Sequence, residues 1–223
     1  MDLAVNRGNR PFIDLWQTSV SSLTSSYFAA ALALLSPEQR QYILSYRDPS
    51  DQMLHVIGRL LVRQYVQHTG QLFDWDEWQY SPAGKPFLTT GPCFNISQAD
   101  SQVIAAFSSH PVGIDVEKMQ GLDIQPLLAY LHPAEQYFIA SSADQTTAFF
   151  TIWTRKEALL KGMGIGITED LATHNCVEHF IQDDIDWYLH SFTNDAAYSV
   201  ALATPLPDTN WKLASISASL LIS

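Results

Sequence analysis

Cysteine is scarce in this chain of 223 residues, which contains only Cys93 and Cys176. A framework of disulfide bonds is therefore not indicated, and a reducing cytoplasm is the expected compartment. Long apolar runs are also missing, since the longest, 27–35, is far shorter than the roughly 20 residues that a membrane helix needs. The first residues lack the basic and then apolar pattern of a secretory signal. We therefore expect a cytoplasmic protein without a membrane partner.

Positive charge is in short supply as well. The chain has 12 Lys and Arg residues against 23 Asp and Glu residues, which gives a formal net charge of -11. Sequence-independent binding of nucleic acid needs a broad basic surface, so nucleic acid is not an expected partner. An anionic ligand would instead have to meet a local cluster of Lys and Arg.

The pattern of apolar residues and turns predicts an α+β fold. The first half is predicted to contain a strand at 12–20, helices at 24–34, after the capping Ser36 and at 51–68, a strand at 73–80, and paired strands at 94–97 and 102–107. The second half is predicted to contain a strand at 112–118, short helices near 123–130 and 133–141, a long helix at 144–162 that ends in a glycine-rich run, and strands within 175–217. A weak similarity between 103–111 and 200–207 favours two similar halves, divided near residue 110, over one continuous sheet.

Two acidic residues share one face of the strand predicted at 112–118. Asp115 and Glu117 are two residues apart, so their side chains project to the same side of the strand. Neighbouring carboxylates repel each other unless a cation lies between them. This pair is compatible with a divalent metal site and equally with a solvated acidic strand face.

A second group of polar residues lies on the predicted long helix. Trp153, Glu157 and Lys161 are four residues apart and form one stripe along the helix. By itself this stripe is more typical of an ordinary helix in which a glutamate and a lysine form a weak pair. The two segments carry more information together than either does alone.

Together, Gly113–Glu117 and Trp153–Lys161 resemble the two-part signature of the 4'-phosphopantetheinyl transferases. The upstream segments Gly84-Lys85-Pro86 and Phe94-Asn95-Ile96-Ser97 point to the surfactin-type, pseudodimeric branch of that superfamily. The resemblance implies transfer of the 4'-phosphopantetheine group from coenzyme A to a serine of an apo carrier protein, with release of 3',5'-ADP. The carrier would be an acyl, peptidyl or aryl carrier protein.

The resemblance also implies an architecture. Two similar α+β halves, 1–109 and 110–223, would form an intramolecular pseudodimer with the active site in the cleft between them. The first half would supply contacts to coenzyme A, and the second would supply the Mg2+ site and the catalytic helix. A monomer is the simplest expectation for such a pseudodimer, with the carrier bound by 123–141 and by the segment after Gly162.

Residue roles are implied by the same resemblance. Asp115, Glu117 and Glu157 match the Mg2+ ligands of the family. Glu157, Lys161 and Glu117 match its catalytic positions, where the lysine contacts the phosphates and a glutamate takes the serine proton. The implied coenzyme A contacts are Arg40, Gly84, Lys85, Pro86, Ser97, Gln98 and Lys161. Glu135 matches a further acid near the site.

The chain departs from the family pattern at the phosphate contacts. Gln98 stands where the family has histidine, and three further positions that are Lys or Arg in the family are here Gln39, Tyr42 and Leu54. Because charge-assisted hydrogen bonds are strong, their loss predicts a weaker hold on the 3'-phosphate of coenzyme A. Other cations could compensate, namely Arg47, Arg59, Arg63, Arg155 or Lys156.

Two alternative functions remain open at the level of sequence. The missing cationic contacts would also fit a catalytically impaired relative that binds a carrier protein or a nucleotide without transferring anything. The acidic cluster would also fit a Mg2+-dependent phosphohydrolase, which would release phosphopantetheine without any carrier.

Overall fold

The computed structural model describes residues 12–166, 171–193, 195–207 and 209–222. The first half contains β1 (Phe12–Ser19), α1 (Ser25–Ala33), α2 (Pro37–Leu44), α3 (Pro49–His68), β2 (Trp78–Tyr80), β3 (Pro86–Leu88), β4 (Cys93–Ala99) and β5 (Gln102–Ser108). The second half contains β6 (Gly113–Lys118), α4 (Gln125–Leu128), α5 (Pro133–Ser141), α6 (Gln145–Met163), β7 (Phe180–Ile181), β8 (Trp187–Phe192), β9 (Tyr198–Thr204) and β10 (Asn210–Ser215). The predicted α+β class is confirmed.

Local signals fix the ends of the helices that matter for the site. The Ser36 hydroxyl accepts a hydrogen bond from the backbone N–H of Gln39 at 3.2 Å, so α2 begins where the capping signal predicts. α6 ends at Gly164, which has a φ of 74°. Glycine adopts this left-handed conformation without steric cost, and the glycine-rich run therefore ends the helix as predicted.

One segment differs from its prediction. The run 73–80, interpreted as a strand, begins with a 3-10 turn at Trp75–Glu77, and only the short β2 follows it. The turn forms because the Asp74 carboxylate accepts a hydrogen bond from the Asp76 N–H at 3.0 Å. The Trp75 indole N–H also donates to the carbonyl of Leu34 at 2.9 Å, a contact that no local pattern could indicate. β2 then pairs with β3, a strand that the pattern did not predict.

Two four-stranded sheets show the same internal order. The first sheet has the order β10-β1-β5-β4, and the second has the order β6-β9-β8-β7. The order β1-β5-β4 in the first sheet matches the order β6-β9-β8 in the second, since β5 and β9 each pair with the strand that begins their half and with the strand that precedes them. α3 packs on β5 and β4, while α6 packs on β9 and β6. The weak similarity between 103–111 and 200–207 therefore falls on the equivalent strands β5 and β9.

The two halves share a core and a strand. β10 returns to the first half and pairs in parallel with β1, where Leu213 lies opposite Leu15. The buried side chains between the sheets come from both halves and include Ile13, Leu15, Ile104, Ile114, Val116, Val200 and Leu202. Among the described residues, no helix has both the length and the apolar character that crossing a membrane requires.

A glycine brings the acidic strand close to the long helix. A Cβ atom at Gly113 would lie 1.9 Å from the carbonyl oxygen of Ala158 and 2.5 Å from the backbone nitrogen of Gly162. Only glycine allows two backbones to approach this closely. The approach of β6 to α6 sets the spacing between the carboxylates of the strand and the polar stripe of the helix.

Replacing Gly113 with alanine should lower stability. We expect Gly113→Ala to reduce the free energy of unfolding by roughly 1–3 kcal/mol or more, because the added methyl group overlaps backbone atoms that cannot move independently. Urea denaturation measures the change. Gly121→Ala is the control, since a Cβ atom at Gly121 would meet nothing within 4 Å. Equal stability of the two variants would contradict the close packing of β6 on α6.

Candidate active site

A buried network joins β4, β6 and α6 between the two halves. Asp115 on β6 is only 2% exposed, and its Oδ1 accepts hydrogen bonds from two groups. One is the Ser97 hydroxyl of β4 at 2.8 Å, and the other is the Lys161 ammonium of α6 at 2.5 Å. The Lys161 ammonium also lies 3.1 Å from the Ser97 hydroxyl. The structure thus brings predicted residues from both halves into direct contact.

The acids of this cluster influence one another. Burial, and then the charge of Asp115, raises the pKa of Glu117 to about 7, although Lys161 acts in the opposite direction. Burial also raises the pKa of Glu157, with Asp115 acting in the same direction and Lys161 against it. The pKa of Asp115 is raised by its own burial, despite the contacts with Lys161 and Ser97. Three mutually repelling carboxylates therefore face one ammonium group.

The chemistry of this cluster suits a hard divalent cation. The Oδ2 atom of Asp115 is buried, and no described residue offers it a hydrogen-bond partner. An unpaired buried carboxylate oxygen is costly, and an oxygen-ligand cation would satisfy it. Within the described part of the chain, no three His, Cys, Asp or Glu side chains are already grouped as metal ligands. The cation in contact with Asp115 in this arrangement is the ammonium of Lys161.

A cavity of about 290 Å³ extends from Ser97 and Lys161 toward α2 and α3. Five of the predicted coenzyme A contacts line it, namely Gly84, Pro86, Ser97, Gln98 and Lys161. The other described lining residues were not predicted as contacts, and they are Tyr42, His55, Gly58, Arg59, Trp78, Tyr80 and Ile96. The cavity therefore extends from Ser97 and Lys161, the hydrogen-bond partners of Asp115, to an aromatic wall of the first half.

Two predicted contacts do not line this cavity. The Lys85 ammonium donates to the carbonyl of Val112 at 3.1 Å and to that of Gly162 at 3.4 Å, and burial lowers its pKa to about 8. The Arg40 guanidinium donates to the carbonyl of Leu35 at 2.9 Å, at the end of α1. Both cations satisfy backbone carbonyls here, and their contact with coenzyme A stays a prediction.

Glu135 lies in a buried ion pair, and its proximity to the acidic cluster stays a prediction. Its carboxylate is 2.8 Å from the Lys156 ammonium and accepts hydrogen bonds from the backbone N–H groups of Cys176 and His132, each at 2.8 Å. Lys156 follows Arg155 on α6, and the Arg155 guanidinium likewise donates to backbone carbonyls and to a serine hydroxyl. These groups hold the loop after α6 against α5, so neither cation compensates for the missing phosphate contacts.

His55 is a functional candidate that sequence reasoning did not name, and Arg59 was named only among the cations that could compensate for missing phosphate contacts. They are four residues apart on α3, and the imidazole of His55 lies 3.1 Å from the amide nitrogen of Gln98. Burial and then the Arg59 charge lower the pKa of His55 to about 4, so this ring is neutral near pH 7. Their spacing around Gly58, a glycine in mid-helix, is the signal that could have identified this face of α3.

Two family models match the chain and together cover both halves. Residues 16–110 match the model described as 4'-phosphopantetheinyl transferase, N-terminal. Residues 111–214 match the model of the 4'-phosphopantetheinyl transferase superfamily. The point at which the two matches meet lies between β5 and β6.

Curated relatives carry the same description. The chain is 27% identical over 191 residues to the 4'-phosphopantetheinyl transferase Sfp of Bacillus subtilis (strain 168), a match that covers 79% of this chain and 85% of that protein. It is 34% identical over 141 residues to the 4'-phosphopantetheinyl transferase gsp of Aneurinibacillus migulanus, covering 60% of this chain and 57% of that protein. A match of 27% identity to the L-aminoadipate-semialdehyde dehydrogenase-phosphopantetheinyl transferase of Xenopus laevis covers 60% of this chain and 50% of that protein.

The buried ion pair gives a stability prediction that is independent of the cavity. Lys156→Met should lower the free energy of unfolding by about 3–5 kcal/mol, because it leaves the Glu135 carboxylate buried and without a counter-charge. Thermal and urea denaturation measure the loss. Lys118→Met, which removes an exposed ion pair with Asp100, should change stability little. If Lys156→Met unfolds like the unmodified chain, the pair is not structural.

Proposed function

The chain belongs to the 4'-phosphopantetheinyl transferase superfamily, in its surfactin-type branch, and we infer from this that it transfers 4'-phosphopantetheine from coenzyme A to a serine of an apo carrier protein. The observation that carries the inference is the Asp115–Lys161–Ser97 network at one end of a cavity that is lined by the first half and by Lys161 of the second. The similarity to transferases favours this activity over a relative that only binds its ligands. 3',5'-ADP is the second product.

We propose that Mg2+ is the metal and that Asp115, Glu117 and Glu157 hold it. The unpaired, buried oxygen of Asp115 and the mutual repulsion of the three carboxylates support this assignment. When bound, Mg2+ neutralises charge on the pyrophosphate oxygens of coenzyme A.

Lys161 acts on the leaving group. Its ammonium has three N–H donors, and contacts with Asp115 and Ser97 use two of them. The third remains for a phosphate oxygen at the inner end of the cavity. A fixed positive charge at this position stabilises the negative charge that grows on the phosphate of the departing 3',5'-ADP.

The reaction forms one bond to phosphorus and breaks another. The oxygen of the carrier serine bonds to the β-phosphorus of the coenzyme A pyrophosphate, and the bridging oxygen leaves with its electron pair on 3',5'-ADP. The serine proton goes to the carboxylate of Glu117 or Glu157. Transfer of this type depends mainly on positioning and charge stabilisation, so few protein groups are needed.

The carrier is proposed to dock on surface segments of the second half. The segment 123–141 carries the exposed rings of Tyr130 and Tyr137, which offer apolar contact to a partner helix. The segment after Gly162 is a second candidate, although 167–170 lie outside the described residues. A monomeric state is part of the proposal because residues of one chain form the cavity, and a cytoplasmic location is proposed from the scarcity of cysteine.

The activity is tested by mass spectrometry of carrier proteins. The protein is incubated with coenzyme A, Mg2+ and each of several apo carrier proteins. At least one carrier should gain the mass of a phosphopantetheine group, and 3',5'-ADP should appear in equal amount. Release of phosphopantetheine without any carrier would indicate a phosphohydrolase instead, and no modified carrier would contradict the proposed function.

The metal assignment is tested by substitution and by chelation. Asp115→Ala and Glu157→Ala should each lower transfer to background while circular dichroism shows an intact fold, since each removes a proposed ligand. EDTA should abolish transfer by the unmodified protein, and added Mg2+ should restore it. Asp186→Ala is the control, because that side chain is exposed and outside the cluster. Full activity in either cluster variant would refute the assignment.

A further inference from the structure

Arg59 is a buried cation without an anionic partner. The residue is 5% exposed, and none of the ion pairs formed by the described residues includes it. Its guanidinium donates to three neutral oxygens, which are Gln39 Oε1 at 2.7 Å, the Tyr80 hydroxyl at 2.9 Å and the carbonyl of His55 at 3.1 Å. Arginine has five N–H donors, so two remain available on a side chain that lines the cavity.

The surroundings of Arg59 hold the charge in place without neutralising it. Its guanidinium lies 4.9 Å from the centre of the Tyr42 ring and 5.5 Å from that of the Trp78 ring. Such cation–π contacts offset part of the cost of burial. The buried positive charge of Arg59 would still be stabilised by contact with an anion, and the cavity allows an anion to reach it.

Because Gln39 on α2 is uncharged, the cation at this end of the cavity is Arg59 of α3. The family has a lysine at this position, and here the buried Gln39 accepts a hydrogen bond from Nε of Arg59. A lysine ammonium in the same place would repel the guanidinium instead of orienting it. The uncharged side chain on α2 therefore accepts a hydrogen bond from the buried arginine on α3 and orients it.

Arg59 and Lys161 are the two cationic side chains among the described residues that line the cavity. The neighbouring His55 is neutral near pH 7, and it accepts its contact from the uncharged amide of Gln98. The cavity thus offers two separate cationic groups and an aromatic wall. Coenzyme A has the matching groups, with a pyrophosphate, a 3'-phosphate and an adenine base.

We propose that Arg59 binds the 3'-phosphate of coenzyme A and sets the preference for coenzyme A over its 3'-dephospho form. This rests on the proposed function, under which the pyrophosphate lies at Lys161, so that the 3'-phosphate is the anion left for Arg59. One buried arginine with two free donors then replaces the cations that the chain lacks at Gln39, Tyr42 and Gln98. The sequence predicts weak binding of this phosphate, whereas the contact with Arg59 predicts tight binding.

Isothermal titration calorimetry tests the assignment without the transfer reaction. Coenzyme A and 3'-dephospho-coenzyme A are each titrated into the folded protein with Mg2+ and without a carrier. The unmodified protein should bind coenzyme A about 10- to 100-fold more tightly, as expected for a charge-assisted contact. Arg59→Gln should bring the ratio of the two dissociation constants close to one. Arg63→Gln, on the same helix but outside the cavity lining, should leave the ratio unchanged.

The ratio separates a binding role from a structural one. If Arg59→Gln weakens both ligands equally and keeps the ratio, Arg59 only supports the fold and the proposal is wrong. If Arg59→Gln does not fold, Arg59→Lys is used, which keeps the charge but loses the planar fork, and its ratio should fall part of the way; an unchanged ratio would overturn the proposal. A ratio near one in an unmodified protein that modifies carriers contradicts the role of Arg59 alone. Absence of both binding and transfer contradicts the proposed function itself.

Discussion

The contact of Lys161 with Asp115 is the interaction on which the site depends. It places an ammonium from α6 against a buried carboxylate of β6, and the Ser97 hydroxyl of β4 completes the network from the other half. The Asp115 carboxylate of this pair is buried, and one of its oxygens has no hydrogen-bond partner among the described residues. The network forms only when the two halves are in place together, because β4 belongs to the first and β6 and α6 belong to the second.

The two halves share a topology but not a chemistry. In the first half, the Asp14 carboxylate of β1 accepts a hydrogen bond from the Tyr65 hydroxyl of α3 at 2.6 Å. In the second half, the Asp115 carboxylate of β6 accepts from the Lys161 ammonium of α6. Trp16 of β1 packs in the core of the first half. The long helix of the first half therefore meets β1 through a neutral phenol, whereas that of the second half meets β6 through a charged ammonium.

Attraction of an anionic substrate depends on local positive groups and not on the net charge of the molecule. A net charge of -11 repels anions at long range, so an anionic substrate has to be attracted by groups inside a cavity. Burial strengthens such contacts because the surroundings screen them poorly. Arg155 and Lys156 show that not every cation near the site serves it, because both are bonded to the loop after α6.

Sequence alone determined the α+β class, most of the helices and strands, and the pairing of Asp115 and Glu117 with the stripe of α6. These features depend on short-range periodicity, on caps such as Ser36, and on a two-part motif that a resemblance makes specific. Tertiary structure decided the 3-10 turn before β2, the pairing of β10 with β1, the ion pair of Glu135 and the position of Arg59. Each depends on contacts between residues far apart in the chain, such as Trp75 with Leu34 and Arg59 with Gln39 and Tyr80. A sequence pattern shows which side chains share a face, but only packing determines what that face meets.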